Sequence, residues 1–223
     1  RYRLRIRATG YEEQWWPGVE DATEAGELVV AAGSQLGDID LQVAGRSSSL
    51  GGQAIMGDGE TLAINVEVVA VDLLHEEPAV LTSTDEDGIW SVDGLTAPAT
   101  YRITYTAAGY SPVVLTESVP AGDQVLLGEE LLPAAPGAIS GVVRNRDGTL
   151  IGGAEVRAQR GDDEASTTTP TSGEVGAFSL DDLPTPGTYL VTVAAEGYSS
   201  ETQGVRLGPG QSVSDLTVTL SSA

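Results

Sequence analysis

The sequence predicts an all-β chain: tandem β-sandwich modules of about seven short strands each, set in a row. Three observations carry this. A Tyr opens a strand eight residues before a Gly-Tyr pair three times over, from Tyr2 to Gly10-Tyr11, Tyr101 to Gly109-Tyr110 and Tyr189 to Gly197-Tyr198. Gly33, Gly122 and Gly210 follow at spacings of 89 and 88 residues, each leading into a last strand: Leu36 to Val43, Val125 to Leu132 and Val213 to Leu220. Turn signals recur every ~8–12 residues, as in sandwiches, and no helical period of 3.6 persists beyond a few residues.

The elements follow in order. Residues 1–43 read as the closing half of a first repeat, with an insertion over 12–32 that lengthens the Gly-Tyr to Gly segment. Arg1-Tyr2-Arg3-Leu4-Arg5-Ile6-Arg7 alternates, which predicts a strand with Tyr2, Leu4 and Ile6 on one face. A chain that opens inside a strand is expected to be a piece of a longer polypeptide.

Residues 44–134 read as a complete second repeat, entered through Ala44 to Ser49, and 137–223 as a third, entered through Pro133-Ala134-Ala135-Pro136-Gly137. A Pro-containing linker favours extended, semi-rigid spacing. The upstream halves of these two repeats correspond: Gly52 with Gly141, Asp58-Gly59 with Asp147-Gly148, Val68 with Val156, and Gly88-Ile89-Trp90-Ser91 with Gly176-Ala177-Phe178-Ser179. The first repeat lacks that half. Asp-Gly at 58–59, 87–88 and 147–148 marks tight turns. Thr100–Tyr105 and Thr188–Val193 are the clearest strands, and Trp90, Tyr101, Tyr105, Phe178 and Tyr189 are the expected core aromatics.

Composition removes whole classes of function. The formal charge is −22, from 33 acidic and 11 basic residues, which argues against nucleic acid and anionic lipid as partners. All 11 basic residues are Arg, so Schiff-base chemistry, P-loops and Lys–Asn isopeptides are out of reach. No Cys is present, which excludes disulfides, thiolate zinc sites and a Cys nucleophile. No apolar run approaches the length of a transmembrane helix, so direct membrane insertion is not expected.

Three features remain as candidates for chemistry. His75, the single His, falls in Leu73-Leu74-His75-Glu76-Glu77-Pro78, where a solvated loop is expected and no nucleophile elbow is encoded. Carboxylate runs at Asp85-Glu86-Asp87, Asp162-Asp163-Glu164 and Asp181-Asp182 supply hard oxygen ligands, making Asp85, Asp87, Asp181 and Asp182 candidates for calcium. Gly88 stands fourth after Asp85 rather than sixth, unlike an EF-hand loop, and such runs are ordinarily solvated turns. Trp15 and Trp16, in Trp15-Trp16-Pro17-Gly18, either stack on a glycan or anchor a protein partner, or fold back to cover the sandwich edge.

The run Ile139-Ser140-Gly141-Val142-Val143, then Asp147-Gly148-Thr149-Leu150-Ile151-Gly152-Gly153-Ala154-Glu155-Val156, resembles the opening of a carboxypeptidase regulatory-like domain. Gly176-Ala177-Phe178-Ser179-Leu180, Pro186-Gly187-Thr188-Tyr189 and Glu196-Gly197-Tyr198 continue the likeness to the end of the repeat. Gly10-Tyr11-Glu12-Glu13-Gln14-Trp15-Trp16 is similar to a variant of its closing half. The resemblance implies Ig-like, prealbumin-like (transthyretin-like, Cna-B-like) sandwiches and a non-catalytic module of a secreted or cell-surface protein. With no catalytic residue and no cofactor expected, the chain reads as a structural or adhesive stalk or filament component, partnered by other domains or neighbouring copies. The alternatives are an ancillary module of a secreted hydrolase, or a carbohydrate-binding module using Trp15 and Trp16.

Overall fold

The structure, a computed structural model, describes residues 1–223 and contains strands, bridges and turns but no helix. Seventeen strands run in chain order: β1 (Arg5–Ile6), β2 (Gln14–Trp15), β3 (Ser48–Met56), β4 (Glu67–Asp72), β5 (Val80–Ser83), β6 (Ile89–Leu95), β7 (Ala99–Thr106), β8 (Val113–Val119) and β9 (Gln124–Leu132). They continue as β10 (Gly137–Asn145), β11 (Glu155–Arg160), β12 (Asp163–Thr168), β13 (Ala177–Leu183), β14 (Gly187–Ala194), β15 (Tyr198–Ser199), β16 (Glu201–Leu207) and β17 (Ser212–Ser222). The chain forms two compact units. One comprises Arg1–Ile55, Gly59–Thr106 and Pro112–Leu131; the other comprises Met56–Asp58, Ala107–Ser111 and Leu132–Ala223.

Both units hold the same kind of sandwich. In the first, a sheet ordered β6-β3-β9 faces one ordered β5-β4-β7-β8; in the second the orders are β13-β10-β17-β15 and β12-β11-β14-β16. The first strand of each sandwich, β3 or β10, therefore lies between its neighbour and the last strand. For β10 the pairing with β17 is parallel, running from Ala138↔Ser212 to Asn145↔Leu220. Period-two alternation explains why these segments form strands: in β7, Ala99, Tyr101, Ile103 and Tyr105 are buried while Arg102 and Thr106 face out. In β14, Tyr189, Val191 and Val193 point inward in the same way.

The aromatic residues expected in the cores are there. Trp90 meets Tyr105 edge to face, with ring centroids 5.9 Å apart at 75°. Tyr101 and Tyr189 are buried, and each hydroxyl donates to a carbonyl five residues upstream, that of Thr96 at 2.9 Å and that of Pro184 at 2.7 Å. The hydroxyl of Tyr105 and the indole N–H of Trp90 are buried without a well-aligned hydrogen bond. Burial pushes the Tyr105 phenol up to about 12, a shift opposed by the nearby Trp90 N–H and reinforced by Glu130.

One device recurs that the residue pattern did not announce. Thr84 follows β5, Thr169 follows β12, and both side chains are buried. The Thr169 hydroxyl donates to the Ile151 carbonyl at 2.8 Å and accepts from the Ala154 N–H at 3.0 Å. Thr84 does the same between the Ala63 carbonyl and the Val66 N–H. A buried hydroxyl so placed satisfies two backbone groups that no strand reaches.

Two expectations for residues 1–43 are corrected. The segment Leu36 to Val43 forms no strand, and Leu36 is 44% exposed. The alternation of Arg1 to Arg7 condenses into the two residues of β1, leaving Tyr2 66% exposed and joined to Leu28 by a single bridge. The physical reason is shared: a strand needs a hydrogen-bonding partner, and Leu36–Val43 pairs with no other segment while Arg1 to Arg7 pairs through β1 with β2 and through the Tyr2–Leu28 bridge. The carboxylates of Asp163 and Glu164, expected in a turn, lie in β12 and pair with Arg160 and Arg157.

Thr84→Val and Thr169→Val should each destabilise their sandwich by about 1–3 kcal/mol, read as a lowered urea midpoint, because two buried backbone groups lose their partner. The tyrosines should divide. Tyr101→Phe and Tyr189→Phe should each cost about 1 kcal/mol, whereas Tyr105→Phe should be neutral or stabilising, since it removes an unpaired buried hydroxyl. The Tyr105 contribution is intact below pH 10.0 and is lost as pH rises toward 12. Tyr105→Phe should accordingly flatten the alkaline fall of stability measured by urea titration across that window.

Candidate functional site

Trp15 and Trp16 are positioned by the short β1–β2 ribbon, in which Arg5 stands opposite Trp15. Trp15 exchanges hydrogen bonds with Val19, accepting at 2.9 Å and donating at 2.7 Å, around a turn whose Trp16–Pro17 peptide bond is cis. The Trp16 N–H donates to the Leu4 carbonyl at 2.9 Å, and its carbonyl accepts from Gly26 at 2.7 Å. The inserted residues thus fold back on the Trp pair, and both side chains are half-buried. The Arg5 guanidinium lies 5.5 Å from the centre of the Trp15 ring, while Gly26 packs so closely on Trp16 that a Cβ would sit 2.5 Å from Cζ3. Each indole thus already has one companion, Arg5 for Trp15 and Gly26 for Trp16.

An Arg-rich rim surrounds this ribbon. Arg7 pairs with Glu13 at 2.7 Å, Arg46 with Glu12 at 2.9 Å and Arg1 with Glu27 at 2.9 Å. The Arg7 hydrogen bond holds the Glu13 carboxyl below its usual value against an opposing effect of desolvation. These pairs are solvent-exposed and add little to stability.

His75 is not merely a solvated loop residue. Its Nδ1 lies 2.8 Å from Asp72 Oδ2, with the His side chain 45% exposed and that of Asp72 1% exposed. Asp72 Oδ1 accepts from the N–H groups of Leu74 at 2.8 Å and His75 at 3.1 Å. Desolvation pushes the Asp72 carboxyl upward, but these N–H donors and the His75 ring outweigh it and hold the group below 3.8. The pair closes the turn that follows β4, so the carboxylate is occupied by the backbone. Asp72 was missed in the sequence; the signal is an Asp ending a β-branched strand three residues before a His, an Asx-type turn.

The calcium candidates are also taken up by turns. Asp85 Oδ1 accepts from the N–H groups of Asp87 and Ile89, both at 2.9 Å. Asp181 accepts from the Ser179 hydroxyl at 2.9 Å, and Asp182 occupies the left-handed position (φ 56°) of a bulge in β13. No group of three or more His, Asp or Glu side chains comes together among the described residues. Ser48, expected in a linker, is the first residue of β3, and its hydroxyl donates to the Pro120 carbonyl at 2.6 Å and accepts from the Asp123 N–H at 3.2 Å.

With this geometry in view, the chain is of the β-sandwich module class. Residues 138–221 match the family model of the carboxypeptidase regulatory-like domain. No curated protein matches the chain. Among solved structures it is similar to the Bacillus anthracis TIE protein, at 19% identity and a TM-score of 0.45, over 80% of this chain and 35% of that one. It is also similar to a streptococcal ancillary pilin, at 14% identity and a TM-score of 0.36, over 98% of this chain and 73% of that one. The major pilin subunit BcpA of Bacillus cereus, as its D312A variant, gives 10% identity and a TM-score of 0.33, over 78% and 99% of the two chains. The chain thus spans about a third of the TIE protein's length.

Because the Asp72 carboxyl is depressed in the folded protein, its contribution is present above pH 3.8 and is lost as pH falls through its folded value. Asp72→Asn should lower stability at neutral pH and flatten the acid limb of the unfolding curve. His75→Ala should move the acid midpoint of the folded protein to higher pH, by circular dichroism.

Proposed function

We propose that this chain is a non-catalytic, load-bearing segment of an extracellular or cell-surface protein, a stalk or filament component. In this reading residues 1–43 are the closing half of one module, and 44–134 and 137–223 are two complete ones. One observation carries it: the buried polar side chains, Ser48, Asp72, Thr84 and Thr169, all bond backbone groups. The interior polar chemistry is spent on closing turns, while an enzyme needs at least one such group aimed at a substrate. The charge of −22 adds solubility and self-repulsion, which suit an exposed segment. Its partners are then neighbouring modules of its own polypeptide or copies beside it.

The strand order supports load-bearing. Because β10 and β17 are the first and last strands of their sandwich and pair in parallel, tension applied at its two ends loads their hydrogen bonds in shear, all together. Pulling the chain by its ends in an atomic force microscope should give discrete high-force peaks, each releasing roughly 30 nm for a module of this length. Extension without force peaks would contradict the proposal. So would an antibody against the chain that labels source cells only after permeabilisation.

A further inference from the structure

The three Gly-Tyr turns share one local geometry. The N–H groups of Tyr11, Tyr110 and Tyr198 donate to the carbonyls of Ala8, Ala107 and Ala195 at 3.2, 3.2 and 3.1 Å. The preceding glycines, Gly10, Gly109 and Gly197, have φ of 81°, 82° and 80°. Each glycine carbonyl accepts from the N–H of a residue further along the chain, Arg46 at 2.8 Å, Ala135 at 3.0 Å and Ala223 at 3.1 Å.

Two of these turns also serve as seats. In the N-terminal unit a Cβ on Gly10 would strike the Ala121 carbonyl, and one on Gly122 would lie 3.0 Å from the Gly10 Cα. In the C-terminal unit a Cβ on Gly109 would strike the Pro209 carbonyl, and one on Gly210 would lie 2.7 Å from the Gly109 Cα. Backbone rests on backbone at both places. A Cβ on Gly197, in the same conformation, meets nothing within 4 Å.

We propose that the Gly197–Tyr198 turn is the seat for a further module of this repeat, joined in register at Ala223. Its turn glycine would lie on Gly197 as Gly122 lies on Gly10 and Gly210 on Gly109. The occupant follows from the two filled seats. The residue that bonds the seat's carbonyl leads directly into the stretch of chain whose turn returns to it. The Arg46 carbonyl accepts from Gly122 N–H at 3.0 Å. The Ala135 carbonyl accepts from the Thr185 hydroxyl at 2.6 Å, which in turn accepts from Gly210 N–H at 2.9 Å. Ala223 already makes the bond that Arg46 and Ala135 make. A second copy of residues 1–223 offers no free turn, because its Gly122 and Gly210 are engaged on its own seats. The inference rests on this repeated geometry and stands whether or not the chain bears load.

The test extends the full chain after Ala223 with a second copy of residues 136–223, so that Ala223 takes the place of Ala135. By NMR, the Gly197 amide should shift, and a cross-relaxation peak should appear between the Gly197 Hα and that of the added copy of Gly210. Gly210→Ala in the added copy should abolish that peak while its own core resonances persist. A second extension, residues 47–134 joined the same way, should place the added Gly122 on Gly197. If neither extension produces the contact and the Gly197 amide stays where it is in the 223-residue chain, the proposal is overturned.

Discussion

The sandwiches of this protein depend on one constraint: the first strand of each is the partner that holds the last. β10 stands between β13 and β17, and β3 between β6 and β9. Alternation by itself does not supply a pairing partner. Residues 1–43 form no sandwich sheet. They keep a Gly-Tyr turn with the same geometry as the others, yet their apolar alternation condenses to a two-stranded ribbon. Non-local pairing, rather than local propensity, decides which segments become strands here.

Once the sheets are paired, the remaining difficulty is polar. Short sandwiches leave backbone groups stranded wherever the chain crosses between sheets, and each stranded group is costly. The protein answers with short polar side chains at strand ends: Thr84 and Thr169 where the chain leaves β5 and β12 for the other sheet, Ser48 as the first residue of β3, and Asp72 as the last of β4. Tyr101 and Tyr189 add a hydroxyl to a carbonyl five residues back. These residues look like candidates for chemistry when viewed singly. Taken together they are closures, which is why a structural role is the reading that fits them best.

Much of this was legible in the sequence. The strands around Tyr101 and Tyr189, the Asp-Gly turns and the core aromatics follow from period-two alternation and turn chemistry, and the structure places them as read. Leu36–Val43 misled because alternation reports a face and says nothing of a partner. Thr84 and Thr169 were hidden at the ends of polar runs, Thr82-Ser83-Thr84 and Thr167-Thr168-Thr169, where a buried threonine and a solvated one are written alike. The bond between His75 and Asp72 joins a strand end to a loop, and no periodicity marks it. The glycines of the Gly-Tyr pairs were found by spacing, but one letter stands for two demands. At Gly197 it answers only to φ, and at Gly10 and Gly109 to close packing as well.

The most direct trial of the central constraint is at Gly141, in the middle of β10, where a Cβ would collide with the Leu216 carbonyl on β17. Amide hydrogen exchange of Gly141→Val, compared with the unmodified chain, reports on the sandwich as a whole. If the pairing of first and last strands holds the sandwich, the amides of β14, in the opposite sheet, should lose their slow exchange along with those of β10 and β17. Slow exchange retained across β14 and β17 in the variant would show that the sandwich stands without that pairing, and would contradict the account.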